Sequence, residues 1–177
     1  MVAPSQFANA ILDQGTDAQK KKYLPLFCTE RFHTASVAIV EPGPLSEPFA
    51  PRTVAEVKDD GWVLSGAKSF VVLGDRASHF LVLARTEDAV EAFLVDRDAE
   101  GLTISAPELN MGLKGVSTVR LDLERVAVSS EDRLGGEAGC DVAALVNGSR
   151  VAQCALLVGL SRAVLEYCIP YSKDRVE

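Results

Sequence analysis

The sequence predicts a mainly β domain flanked by helices, and three observations carry that expectation. From Phe32 to about Val128, short apolar runs alternate with turn residues: FHTASVAIV, RTVAEV, GWVLSG, KSFVVLG, SHFLVLAR, VEAFLVDR, GLTIS and STVRLDL. Before them FANAILDQGTDAQKKKYLP, and after them DVAALVNGSRVAQCALLVGLSRAVLEYC, have helical rather than strand patterning. With 177 residues, 47% of them hydrophobic, the chain can bury one real core and carry attached helical pieces. A series of short strands of this kind forms a β-sandwich or barrel. The expected division is helices over residues 1–29, a β-barrel-like domain over 30–132 and a long helix over 138–177.

The elements can be justified in order. Thr16 and Gln19 stand in the capping-box relation, which starts a second short helix after Gly15, and Pro25 closes it. Asp59-Asp60-Gly61 is a hairpin turn between RTVAEVK and WVLSG, and Gly101 and Gly112 punctuate later strands. After Gly135-Gly136 the run from Asp141 is apolar on most faces, so a long and largely buried helix is expected, with Pro170 near its end. A helix this apolar wants several neighbours, which points to a partner.

Composition excludes several functions. A net charge of −7 and a pI of about 4.9 argue against a broad basic face for nucleic acid or anionic lipid, and Lys20-Lys21-Lys22 is too short to change that. No apolar run is expected to approach the roughly 20 residues that span a bilayer, and the start MVAPSQFANAILDQ lacks the basic-then-apolar pattern of a secretory signal, so a cytoplasmic address is expected. Cys28 stands alone, while Cys140, Cys154 and Cys168 are spaced by 14, which on a helix puts them on one face but roughly 21 Å apart. They read as small buried hydrophobes in a reducing compartment. His33 and His79 have no companion at ligand spacing and read as structural.

The stretch AIVEPGPLSE, residues 38–47, ends an apolar run in a turn with two prolines and a glycine that holds Ser46 in one place. The order GTDAQKKKYLP, AIVEPGPLSE, GWVLSGAKSFVVLG, AFLVDRDAEGLTIS, MGLKGVSTVRLDLERVAV, LGGEAGCDVAALVNGSR resembles the acyl-CoA dehydrogenase family along almost the whole chain. The resemblance implies the middle β-barrel domain of that family, with the end of the first helical domain before it and the first helix of the second after it. It implies an FAD-dependent removal of a proton from Cα and a hydride from Cβ of an acyl-CoA thioester, giving a trans-enoyl-CoA. It also implies acyl-CoA as substrate, a homo- or hetero-oligomer with another acyl-CoA dehydrogenase chain, and an electron-transfer acceptor.

By the same resemblance, Ile39, Val40, Glu41 and Ser46 face the flavin or its diphosphate, and Ser46 touches the acyl-CoA as well. Phe70 matches the aromatic residue that packs on the isoalloxazine ring, with Val71 and Val72 along the ring's edge. Arg150 matches an arginine that holds substrate, and Arg175 one that reaches a neighbouring subunit's flavin. Read without the family, Ser46 is an exposed turn hydroxyl, Phe70 a core phenylalanine and Arg150 a surface charge.

The sequence departs from the family in ways that bear on activity. Val40 and Val72 stand where the family has hydroxyl residues, and valine keeps the shape while deleting the hydrogen bond. Pro44 and Leu45 replace small, flexible residues, which would strain the turn if Leu45 had to be left-handed. The position where a minority of the family carry the catalytic carboxylate is Ser149, so no catalytic residue is assigned. Two readings follow: a shortened acyl-CoA dehydrogenase inactive alone, or a non-catalytic subunit or interaction module that completes a partner. A plain β-barrel ligand binder would explain none of the motif order.

Overall fold

The computed structural model describes residues 2–112 and 114–175. Helix α1 runs Val2–Gln14 and α2 Asp17–Tyr23, followed by a 3₁₀ turn Leu24–Phe27. The strands are β1 Ala35–Ala38, β2 Val54–Lys58, β3 Gly61–Val72, β4 His79–Arg85, β5 Val90–Asp96, β6 Leu102–Ile104 and β7 Thr118–Ser129. Helix α3 spans Val142–Asp174. The chain divides into two compact units, residues 1–143 and 144–177.

The seven strands form one curled, mixed sheet in the order β1-β4-β2-β3-β7-β6, with β5 on the other edge of β4. The expected barrel is therefore a half-barrel with open edges. Strands β4 and β5 each bury five consecutive residues, which is why SHFLVLAR and VEAFLVDR read as near-continuous apolar runs. Strand β7 instead alternates, with Val119, Leu121 and Leu123 buried and Arg120 exposed between them. These inward residues meet Leu64, Val71, Phe80 and Phe93 in the core.

Two runs that read as separate strands, GWVLSG and KSFVVLG, are one strand, β3. The join is Gly66, at φ +149, where a Cβ would lie 2.7 Å from the Thr53 Cα. Only glycine lets the chain pass that close without a break. The hairpin at Asp59-Asp60 forms as expected, with Lys58 paired to Gly61 and Asp59 at φ +50.

Helix α1 buries Ala3, Phe7, Ala10 and Ile11, an i, i+4, i+7, i+8 face. The capping box at Thr16 is present: Gln19 N–H donates to Thr16 Oγ1 and Gln19 Oε1 accepts from Thr16 N–H. The buried Gln19 also donates to the carbonyls of Glu131 and Arg133, both at 2.8 Å, and accepts from Gly135 N–H. Gln14 makes a reciprocal pair with the backbone of Asp141. Two glutamines thus tie the leading helices to the segment that leaves the sheet.

Three expectations are corrected. The cysteines are not buried hydrophobes: Cys28, Cys154 and Cys168 are exposed and Cys140 is half-buried, its thiol pushed up to about 11, chiefly by burial. Helix α3 is not largely buried, because its unit contains no second element to pack on. From Val151 onward it exposes Leu156, Leu157, Val158, Leu160 and Leu165 on all sides. By length and composition it is also long and apolar enough to cross a bilayer, with mean hydropathy 1.4 in its most apolar window, although a core helix passes the same test. Leu45 escapes the expected strain, since Gly43 at φ +113 takes the turn's left-handed position.

Replacing Gln19 by alanine leaves two carbonyls and two N–H groups, those of Thr16 and Gly135, without their partner. Thermal unfolding should register a loss of about 2 kcal/mol, on the order of 5 °C in Tm.

Candidate functional site

Strand β1 delivers the chain into the 39–53 connection, and a buried ion pair fixes where that connection goes. Glu41 is 4% exposed. Its carboxylate accepts from Arg52 N–H and Thr53 N–H at 2.8 Å, from Thr53 Oγ1 at 2.6 Å and from the fully buried Lys68 Nζ at 2.9 Å. The Lys68 ammonium also reaches the Ile39 carbonyl at 3.4 Å, and Ser69 N–H donates to the Val40 carbonyl at 2.9 Å. Arg52 lies over the turn, its Nε 3.4 Å from Glu41 and its Nη2 on the Pro42 carbonyl. Across the turn, Ser46 Oγ accepts from Glu41 N–H at 2.9 Å, so the hydroxyl closes the turn upon itself.

The second segment is the end of β3. Its register against β7 slips between Lys68 and Val71, and Phe70 sits in that bulge at φ +54 as a residue 54% exposed. The core-phenylalanine reading is therefore wrong for this residue. Val71 next to it is in the core, and Val72 is half-buried, its carbonyl accepting from Ser36 Oγ. The structure thus brings Ile39, Val40, Glu41 and Ser46 onto segments adjoining Phe70, Val71 and Val72. Arg150, whose Nη1 donates to Asn147 Oδ1 at 3.3 Å, and Arg175, whose N–H donates to the Tyr171 carbonyl, are described within the second unit.

Sequence reasoning missed Lys68, Arg52, Thr53 and Glu108 as members of this cluster. A signal existed for Lys68, because a lysine inside an apolar strand can be buried only beside an anion. Glu108 gave none; its carboxylate accepts from Phe70 N–H at 3.0 Å across 38 positions of chain. Sequence spacing also hid a companion for each histidine. Ser78 Oγ lies 3.0 Å from His33 Nε2 and 3.1 Å from His79 Nδ1, and His79 Nε2 faces Asp96 Oδ1 at 3.1 Å. Burial holds both imidazoles below their ordinary value. The rings pack with Phe7, Tyr23 and Phe27, and among the described residues no group of three His, Cys, Asp or Glu could hold a metal.

A flat ring system fits this surface better than a polar ligand does. Phe70 offers an exposed aromatic face beside a turn of fixed shape, as a stacked flavin requires. Among the residues assigned from the sequence, side-chain donors are few: Ser46 has a hydroxyl, Val40 and Val72 have none, and the Phe70 backbone N–H is already bonded to Glu108. The exposed Arg52 guanidinium over the turn adds a cationic donor beside this stacking surface.

A curled mixed sheet with flanking helices and a proline-glycine turn at the end of its first strand defines a β-domain of a particular kind, and comparisons with known proteins say which. Residues 36–126 match the family model described as acyl-CoA dehydrogenase, middle domain. The short/branched chain specific acyl-CoA dehydrogenase of Bos taurus is 33% identical over 168 residues, covering 91% of this chain and 38% of that enzyme. Butyryl-CoA dehydrogenase from Megasphaera elsdenii superposes with a TM-score of 0.85 at 29% identity, over 99% of this chain and 48% of that one. A glutaryl-CoA dehydrogenase from Mycobacterium smegmatis, solved in complex with FADH2, gives a TM-score of 0.88 at 25% identity, over 99% of this chain and 46% of that one. The chain belongs to the acyl-CoA dehydrogenase family, and it spans less than half the length of these relatives.

The Glu41 carboxylate carries a pH prediction. Burial pushes its pKa up, but the Thr53, Arg52 and Lys68 donors outweigh burial and bring it to about 2 from an ordinary 4.5. Burial also pulls the Lys68 ammonium below its usual value, with Glu41 opposing. Since the carboxylate is depressed on folding, its stabilisation is complete above pH 4.5 and is lost as pH falls towards 2, up to about 3 kcal/mol. At neutral pH, Glu41→Gln should cost about 3–5 kcal/mol by leaving Lys68 charged and unpaired, and adding Lys68→Met should restore part of it. Denaturant titrations of the single and double variants measure both effects, and equal losses in the two would contradict the pairing.

Proposed function

We propose that this chain forms the middle domain and adjoining helices of an acyl-CoA dehydrogenase-like flavoprotein, which converts an acyl-CoA thioester to the trans-enoyl-CoA. On this reading residues 1–29 end a first helical domain, 30–132 are the β-domain and 138–177 begin a second helical domain, with a cytoplasmic address. The observation that carries the proposal is the coupling of the Ile39–Ser46 connection to the Phe70 bulge through Glu41 and Lys68, in a chain of this family.

The residues divide the work as follows. Phe70 supplies the wall against which the flavin ring stacks, and Ser46 offers the turn's hydroxyl to the acyl-CoA or the cofactor. Arg150 holds substrate, and Arg175 reaches the flavin of a neighbouring subunit in a homo- or hetero-oligomer. A flavin held there would supply the acceptor for the Cβ hydride and the route for its electrons to an electron-transfer acceptor. The α-proton needs a carboxylate, and Ser149 is a hydroxyl too weakly basic to serve. That base therefore comes from outside residues 1–177, and the exposed apolar surface of α3 is the face on which the helices bearing it would pack.

A second reading is favoured by Val40 and Val72: a non-catalytic subunit that completes a partner's site and has been released from flavin chemistry. Each missing hydroxyl weakens cofactor binding by about 0.5–1.5 kcal/mol, up to roughly tenfold. Both readings expect FAD to be held too weakly to survive gel filtration, so the 177-residue chain should emerge colourless; the first reading still expects weak binding in an equilibrium titration. A yellow preparation with stoichiometric FAD would show that stacking and backbone contacts suffice.

Activity separates them. With added FAD, an artificial electron acceptor and saturated acyl-CoAs of several lengths, the chain alone should give no turnover, since loss of the base alone removes about 10²–10⁴ in rate. Co-expression with a helical segment carrying the base should restore turnover on the first reading, whereas only a complete homologous subunit should do so on the second. Turnover by the lone chain above an Arg150→Ala control would overturn both.

A further inference from the structure

Phe70 holds a conformation that a phenylalanine does not adopt by itself. At φ +54 its Cβ crowds the following carbonyl, a strain that persists only where the surroundings impose it. Phe70 also gains little burial in return, being half exposed. Something other than packing keeps it there.

The group that does so lies on the β6–β7 connection. Glu108 Oε2 accepts from Phe70 N–H at 3.0 Å, while the Glu108 backbone N–H donates to the Thr118 carbonyl at 2.8 Å. Thr118 in turn is paired with Val72, two residues beyond Phe70 on β3. These contacts form a closed circuit: bulge to carboxylate, carboxylate to β7, β7 back to the strand that bulges. A second bond from the same connection reinforces it, because Leu73, also left-handed at φ +56, donates its N–H to the Ser117 carbonyl at 2.8 Å.

We propose that Glu108 is the positioning residue of the Phe70 surface: by accepting the Phe70 N–H it fixes the bulge and so presents the phenyl ring to a flat aromatic ligand, the isoalloxazine ring of a flavin. This rests on the flavin reading above for the identity of the ligand, but not for the mechanical role. Without that acceptor the Phe70 N–H is freed, and the residue can relax to an extended conformation in which its side chain leaves the ligand face.

Two measurements on the full 177-residue chain test this: amide hydrogen exchange at Phe70, followed by NMR, and FAD affinity, followed by flavin fluorescence in equilibrium titration. Glu108→Ala should speed Phe70 exchange and weaken FAD binding, each about tenfold, whereas Glu108→Gln, which keeps an acceptor oxygen, should retain most of both. Phe70→Ala should weaken FAD binding comparably, and Glu108→Ala added to it should cost little more, because the glutamate then has no ring to position. The proposal is overturned if Glu108→Ala leaves Phe70 exchange unchanged, or if it weakens FAD binding equally with and without the Phe70 ring. If the unaltered chain binds no FAD in the titration while Phe70 exchange still depends on Glu108, the positioning role stands and the flavin reading fails.

Discussion

The arrangement of the first unit depends on a carboxylate and an ammonium that have been taken out of water together. Glu41 lies in the connection that leaves apolar β1 and Lys68 inside β3, so neither could be buried without the other. Their union does more than neutralise charge. It collects the Arg52 and Thr53 amides on one carboxylate, which dictates the course of the chain from Val40 to Thr53, and it pins that course to β3 immediately before the bulge. Replacing the pair by apolar residues could leave the core as stable, but the connection would then lose the acceptor that its amides converge on.

Much of this fold was legible because it rests on local chemistry. The capping box at Thr16, the Asp59-Asp60 hairpin and the inward set Val119, Leu121 and Leu123 each follow from residues within a few positions of one another. What stayed hidden depends on contacts across the chain. Local sequence patterns could not show that Gly66 joins two strands into one, since the reason is the Thr53 backbone lying against it. Nor could they show the Ser78 hydroxyl between His33 and His79, or Glu108 over Phe70.

The candidate site was legible in outline. Motif order singled out the Pro42–Ser46 turn and the Phe70–Val72 segment, which Glu41 and Lys68 tie together, while alternation in β3 carries the Val71 side chain into the core and leaves only its backbone for a ring's edge. It also gave no sign that the Ser46 oxygen already accepts the Glu41 amide, which occupies one of its two lone pairs and leaves the other, with the hydroxyl proton, for a ligand. The valines at 40 and 72 matter more in this setting, because the remaining polar groups are largely committed to holding the protein's own shape.

The pairing of β1 with β4 has a consequence for how the molecule assembles. These strands run parallel, Ala35 beside His79 through Ala38 beside Val82, with the 39–53 connection, the β2–β3 hairpin and the Leu73–Ser78 turn between them in sequence. Loop-closure entropy must be met before that pairing returns any energy, so it belongs among the late events of folding, after the local hairpins β2–β3 and β4–β5. The strand that aims the Glu41 connection is thus among the last to dock. A nascent or heat-stressed chain would hold its hairpins while β4 still shows a bare edge where β1 belongs, and that edge is a template for another chain's strand.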